Sequence, residues 1–459
     1  MDSARRTLLL VALAAAGCST GYRPQPLSQR QVLEDLRAIR WESARSPLVS
    51  AGRAAKFDAA DGLSQDEAVA LALYLNPELR AFRLERGVAE GELIAAGLLE
   101  NPEIDFQWLH IPDFTRSFST GGIDLGVSWE PPRPGERAAK RASAGARVEE
   151  VRHEIAAEEW RVATQVKKAH ASLSGAEERL RLADLALSAQ RRVRAFVLSQ
   201  VEAGVASRLD GSLSEIEFTG ALREREVSAS ERDEARQTLD RHLGVPPTTV
   251  IPIQGGAESL AFRPLSLDAA RLEDRMIEER PSLLAARCEY ERAEQDLRLA
   301  CIRRMPWIKF GPAYSRDGAK GEGTIDKFGL GIGIELPIAN RNEGEIAKLY
   351  AARDKVREEF KAKVFAARAE IHEALRALAA EERLLRLDRE TLEPALAATE
   401  SLLAAGLKEK ELDLLRYLAT QDKAIAARRN HVESLEKYWL AVYDLEQAIG
   451  GHVVTPGAH

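Results

Sequence analysis

The chain has 459 residues and a mass of 50.6 kDa, a length that excludes one ordinary compact domain, while a 45% hydrophobic content excludes a disordered one. A net charge of −7 and a pI near 5.8 provide no basic footprint for phosphates, so nucleic acid is excluded as a partner. Aromatic residues reach only 6%, and the apolar share leans on Ala and Leu, which points to long helices.

In chain order, Arg5-Arg6 precede an apolar run from Leu8 to Ala16 that closes in Ala15-Ala16-Gly17-Cys18. A run of about nine residues is far short of the roughly 20 needed to span a bilayer, so residues 1–17 read as a cleavable secretion signal. Cys18 after small residues resembles a lipobox, with Ala15 standing where Leu is usual. Cys18 is therefore the expected lipid attachment site, and Ser19 after it is compatible with outer-membrane export. Residues 18–62, rich in Arg, Ser and Pro, are expected to be extended.

The sequence then repeats itself at an offset of 204 residues. Leu63 matches Leu267, Pro77 matches Pro281, Leu93 matches Leu297, and Pro102 matches Pro306. Further along the register drifts, yet Ala203-Gly204 answers Ala405-Gly406 and Leu243-Gly244 answers Ile449-Gly450. Two structural repeats follow, 63–262 and 263–459, with the same order of elements.

Each repeat opens with an amphipathic helix, capped in the first by Ser64 with Glu67. Asn76-Pro77 and Arg280-Pro281 interrupt it, because the residue before proline is pushed out of the α region. A second helix runs to about Leu99 or Arg303. Two short segments of period-two alternation come next, with β-hairpins expected at about 103–130 and 307–337. Ile104, Phe106 and Trp108 alternate with polar residues, and Phe328, Leu330, Ile332 and Ile334 alternate with glycines. The loops are placed at Pro112–Gly122 and Arg316–Lys327. Alternation of this kind suits a half-buried soluble hairpin or a membrane strand; the secretion signal favours the membrane.

Long helical hairpins follow, at about 136–244 and 342–450. Val162, Val166, Ala169, Leu173, Ala176, Leu180, Ala183 and Leu187 form a coiled-coil seam, continued in kind by Ala367, Ile371, Ala374, Leu378 and Leu385. The hairpins reverse at Gly204 and Gly406, and Pro394 predicts a kink. Cys288 and Cys301 fall on one helix about 20 Å apart, too far for a disulfide, and are expected to be buried thiols. No catalytic or metal-ligand spacing is present, so neither an enzyme nor a cofactor is expected.

Four strands per chain cannot close a barrel, and open edges are not tolerated in lipid, so more than one copy is required. Three copies would supply twelve strands around an aqueous bore, an opening that Gly and acidic residues on the inward faces favour.

As an ordered set, the Asn-Pro break, hairpins, long helices and Ala-Gly reversals resemble the TolC-like outer-membrane efflux proteins from Leu63 to Gly450. The resemblance implies a mainly α fold with a small β part: a trimeric α-barrel of coiled-coil hairpins beneath a twelve-stranded transmembrane β-barrel. It implies a homotrimer in outer-membrane lipid, a periplasmic adaptor, an inner-membrane transporter, and export of drugs, metal cations or other small solutes. Gly204, Val205, Ser207, Gly406 and Leu407 are then the tip that docks the adaptor. Asp210 and Asp413 are the expected constriction, with Lys408 and Arg416 as ion-pair partners. Some family members carry a second gate aspartate where Arg416 stands here. An adaptor would require a biotinyl-like module, and a purely structural coiled-coil lipoprotein would have no use for two alternating hairpins.

Overall fold

The computed structural model describes residues 22–38, 62–111, 120–246, 249, 251–319, 323–399, 401 and 414–453. The chain forms two units, Met1–Arg40 and Trp41–His459. In the first, Gln29–Arg37 is a helix, α1, where an extended segment was expected; Ser28 caps it by accepting from the Gln31 N–H. Cys18 lies outside the described residues.

The second unit follows the repeated order. α2 (Gln65–Leu75) starts in the expected capping box, with Ser64 Oγ accepting from Glu67 N and Glu67 Oε2 accepting from Ser64 N at 2.8 Å. It ends at Asn76, and α3 (Pro77–Arg83) and α4 (Glu85–Gly97) continue. The second copy has α7 (Ala269–Glu279) and a single α8 (Pro281–Ile302). Both helices that start at proline use its fixed φ at N1, where the missing N–H costs nothing.

The long helices are α5 (Glu136–Glu202), α6 (Arg208–Leu243), α9 (Glu343–Leu387) and α10 (Leu414–Ile449). α5 and α9 begin at left-handed residues, Gly135 at φ 83° and Asn342 at φ 61°. Seven of the eight seam residues on α5 are buried, Leu180 being partly so, and all five on α9 are buried. Each fully buried Leu or Val contributes about 1.5–3 kcal/mol, which is what holds a helix of this length against its neighbours. α5 is the spine: α4, α6, α8 and α10 all pack on it, so the second repeat closes onto the first.

The expected kink takes the form of a π-turn at Asp388–Leu392, where the Glu393 N–H donates to the Asp388 carbonyl. Pro394 has no N–H and crowds the preceding turn, and one wider turn accommodates both. His431 Nδ1 of α10 lies 2.8 Å from Asp388 Oδ2 at this turn.

One cysteine expectation is corrected. Both thiols are free, but Cys288 is buried and Cys301 exposed. Thirteen residues at 100° per residue place them on different faces of α8.

Strands β1 (Glu103–Ile111), β2 (Thr120–Ser128), β3 (Trp307–Ala319) and β4 (Gly323–Glu335) form one antiparallel sheet in the order β1-β2-β3-β4. β3 and β4 run further than expected, because Arg316–Lys327, read as a loop, pairs Arg316 with Asp326 and Asp317 with Ile325. Cross-strand ion pairs, Arg316–Asp326 at 3.4 Å and Lys327–Asp317 at 2.8 Å, support the extension.

Candidate functional site

The register separates the sheet into two faces of opposite chemistry. Ile104 stands opposite Val127, Phe106 opposite Leu125 and Trp108 opposite Ile123; Phe310 stands opposite Ile332, and Tyr314 opposite Phe328. Because side chains alternate across a strand, all of these share one face. Its large side chains are exposed among the described residues: Phe328 is 83% exposed, Ile104 72% and Trp108 69%. Along β4 the face runs from Phe328 to Ile334, about 20 Å, on the scale of the ~25 Å apolar band of an outer-membrane barrel. An exposed patch of this size requires a non-aqueous partner. Tyr314 and the Arg316–Asp326 pair border it at one end, with Tyr314 Oη donating to Asp326 at 2.8 Å.

The opposite face carries Glu103, Asp105, Asp124, Asp317 and Glu335 against Lys309 and Lys327, separated by Gly126, Gly311, Gly329, Gly331 and Gly333. Its charge is acidic on balance. The outer edges of β1 and β4 have no strand partner among the described residues.

At the far end of the first helical hairpin, Gly204 has φ 75° and ends α5 in a Schellman arrangement. Val205 N donates to Gln200 O at 2.9 Å, and Gly204 N to Val201 O at 3.0 Å. Ser207 caps α6, and Asp210 closes a second capping box by accepting from Ser207 N at 2.9 Å and from Ser207 Oγ at 2.7 Å. These two hydrogen bonds hold the Asp210 carboxyl below the usual carboxylate range. Val205 and Leu209 project beside it, 74% and 76% exposed. Gly406, Leu407, Lys408 and Asp413 lie outside the described residues, and Arg416 falls in the first turn of α10.

The sequence reading missed a buried ionic cluster where α5 meets α10. Lys167 Nζ donates to Glu446 Oε2 at 2.7 Å, with side chains 9% and 1% exposed. Val453 N donates to the other Glu446 oxygen at 3.0 Å, and Trp160 Nε1 to the Glu446 carbonyl at 3.1 Å. Burial pushes the Glu446 carboxyl up, but the hydrogen bond from His452 and the Lys167 ammonium outweigh it, so the group titrates below its ordinary value. Beside it, burial pushes the Tyr443 hydroxyl far up, and Gln65 Nε2 donates to its oxygen at 2.6 Å. Partners 279 residues apart leave no local signal in the sequence.

No three-residue metal cluster occurs among the described residues. No described helix is long and apolar enough to cross a membrane. A family model of outer membrane efflux proteins matches residues 68–245 and again 272–451. The chain belongs to the outer membrane efflux protein family.

This efflux protein is 23% identical over 393 residues to the cobalt-zinc-cadmium resistance protein CzcC of Cupriavidus metallidurans, covering 86% of this chain and 91% of that one. It is 24% identical over 309 residues to the outer membrane protein OprJ of Pseudomonas aeruginosa, covering 62% and 60%. Among solved structures it resembles CusC, with a TM-score of 0.67 at 16% identity over 85% of this chain and 93% of that one. The open-state MtrE outer membrane channel of Neisseria gonorrhoeae gives 0.66 at 18% identity, covering 85% and 91%. The fold is mainly α with a four-stranded sheet, and the protein is an outer-membrane efflux channel rather than an enzyme.

Proposed function

We propose that three copies of this chain assemble into the outer-membrane exit duct of a tripartite efflux system, with β4 of each protomer pairing with β1 of the next. The observation that carries this reading is the open sheet: unpaired edges in lipid are costly, and closure with neighbours removes them. Three chains would supply twelve strands, enough for a water-filled bore lined by the Gly-rich acidic face. Residues 63–262 and 263–459 then act as two copies of one unit, and residues 1–17 are removed so that Cys18 carries lipid. Membrane fractionation should place the protein in the outer membrane as a heat-modifiable trimer; a soluble monomer would refute the assembly.

The exported solute is a divalent metal cation. The relative matching over most of both chains is named for cobalt, zinc and cadmium resistance, and the acidic lining attracts cations. Loss of the protein should lower tolerance to these metals and leave tolerance to uncharged drugs unchanged.

At the tip, Val205 and Leu209 with the Gly204 turn supply an exposed apolar surface for a periplasmic adaptor. Asp210 and Asp413, with Lys408 and Arg416, form the constriction. Asp210→Asn keeps an acceptor for the Ser207 N–H but removes the charge, so it separates gating from capping. Planar-bilayer conductance should rise for Asp210→Asn, Asp413→Ala and Arg416→Ala; unchanged conductance in all three would leave Asp210 a capping residue only.

A further inference from the structure

The four connections between helices and strands meet at one end of the sheet, where Glu103 pairs with Ser128 and Trp307 with Glu335. Trp129 continues the apolar face past the end of β2. It exchanges backbone hydrogen bonds with Phe310, packs edge-on against the Phe310 ring at 5.7 Å, and donates its indole N–H to the Glu100 carbonyl at 3.1 Å. Next to Glu100, Leu98 and Leu99 are 69% and 49% exposed.

The first turns of α5 bring a surplus of positive charge to the same place. Buried Glu136 draws in Arg133 at 3.6 Å, Lys140 at 3.5 Å and Arg303 at 3.3 Å, and Glu100 shares Lys140 at 3.6 Å. Glu136 and Glu100 are thereby occupied; Glu130 lines the same place, and the five cations, Arg133, Arg137, Lys140, Arg141 and Arg303, still outnumber the three carboxylates. Arg137 is exposed and spends its Nε on the Gly97 carbonyl at 2.8 Å, without an ion pair among the described residues. Arg141, one turn on, is exposed with no carboxylate partner among the described residues, and its side chain runs beside Gly97. Two guanidinium groups therefore border an aromatic and aliphatic shelf that is continuous with the membrane face, in a chain whose overall charge is negative.

We propose that Arg137 and Arg141, with Trp129, Leu98 and Leu99, form a binding site for the headgroup of an anionic phospholipid in the periplasmic leaflet. Guanidinium groups match phosphate oxygens in geometry, indole rings favour the interface between headgroups and acyl chains, and the leucines meet the first methylenes. The site rests on the reading that the sheet crosses the outer membrane. It fixes the depth of the barrel by a chemical contact as well as by the height of the apolar band.

The test reconstitutes full-length protein into nanodiscs of mixed phosphatidylglycerol and phosphatidylcholine and measures lipid retained on re-extraction. Wild-type protein should retain phosphatidylglycerol in preference, and Arg137→Gln and Arg141→Gln should each reduce the preference about fivefold. A control double variant on α9, Lys348→Gln with Lys361→Gln, should match wild type. Retention of both lipids in bilayer proportion by an inserted, conducting protein would overturn the site alone, as would a preference that survives Arg137→Gln/Arg141→Gln. A protein that inserts into no bilayer would overturn the channel reading and the site together.

Discussion

Gly450→Ala is expected to destabilise the protein by more than about 2 kcal/mol, and Gly244→Ala by a similar amount. Each glycine ends a return helix in the left-handed region, at φ 82° and φ 74°. A methyl group at Gly450 would stand 2.6 Å from Arg280 Cα and 2.9 Å from Pro281 Cδ; at Gly244 it would stand 2.8 Å from Asn76 Cα and 3.0 Å from Pro77 Cδ. In both repeats, then, the end of the return helix is pressed against the proline break of the first helix pair. The penalty combines a backbone conformation that L side chains avoid with a clash against rigid backbone. Gly204→Ala isolates the first component, since φ is 75° but nothing lies within 4 Å of the added carbon. It should cost only about 1 kcal/mol. Thermal denaturation of the purified protein should rank the three, and a Gly450→Ala protein as stable as Gly204→Ala would refute the close packing.

Glu446→Ala should cost about 3–5 kcal/mol, because it leaves the Lys167 ammonium buried without its carboxylate. The double variant Lys167→Met/Glu446→Leu removes both charges and should recover most of the loss, which a single deletion cannot. The same cluster sets a pH dependence. Glu446 has a folded pKa below its unfolded value of about 4.3, so its contribution is complete above that pH and is lost as pH falls through the folded value. Thermal stability should therefore be flat in this respect near neutrality and decline in acid, and the acid decline should be smaller in the double variant. An unchanged acid profile would remove Glu446 from the account.

Those two predictions also mark the boundary between what was readable and what was not. Periodicity of 3.5 located the α5 and α9 seams residue by residue, since burial of a helical stripe leaves a repeating trace in a single sequence. Proline and glycine located the breaks at Asn76 and Arg280 and the reversal at Gly204, because their backbone limits are intrinsic. Alternation located all four strands but stopped short in β2, which starts at Thr120 inside the expected loop, and in β3 and β4. Charged Arg316, Asp317, Asp326 and Lys327 look like loop until their cross-strand pairing is seen. The helix in residues 29–37 was also missed, in a segment whose Arg, Ser and Pro content obscured a single capped turn pattern.

The sequence by itself determined the duplication, the order of elements and the two-faced character of the strands, because each depends on neighbours a few residues apart or on a repeat of the whole unit. Tertiary structure decided the rest. It made Asp210 a capping partner of Ser207, separated a buried Cys288 from an exposed Cys301, joined Lys167 to Glu446, and left Arg137 and Arg141 without an ion pair among the described residues while Glu136 took Arg133, Lys140 and Arg303. Charges and thiols acquire their roles from whatever the fold places within a few ångströms of them. Local pattern does not encode that distance.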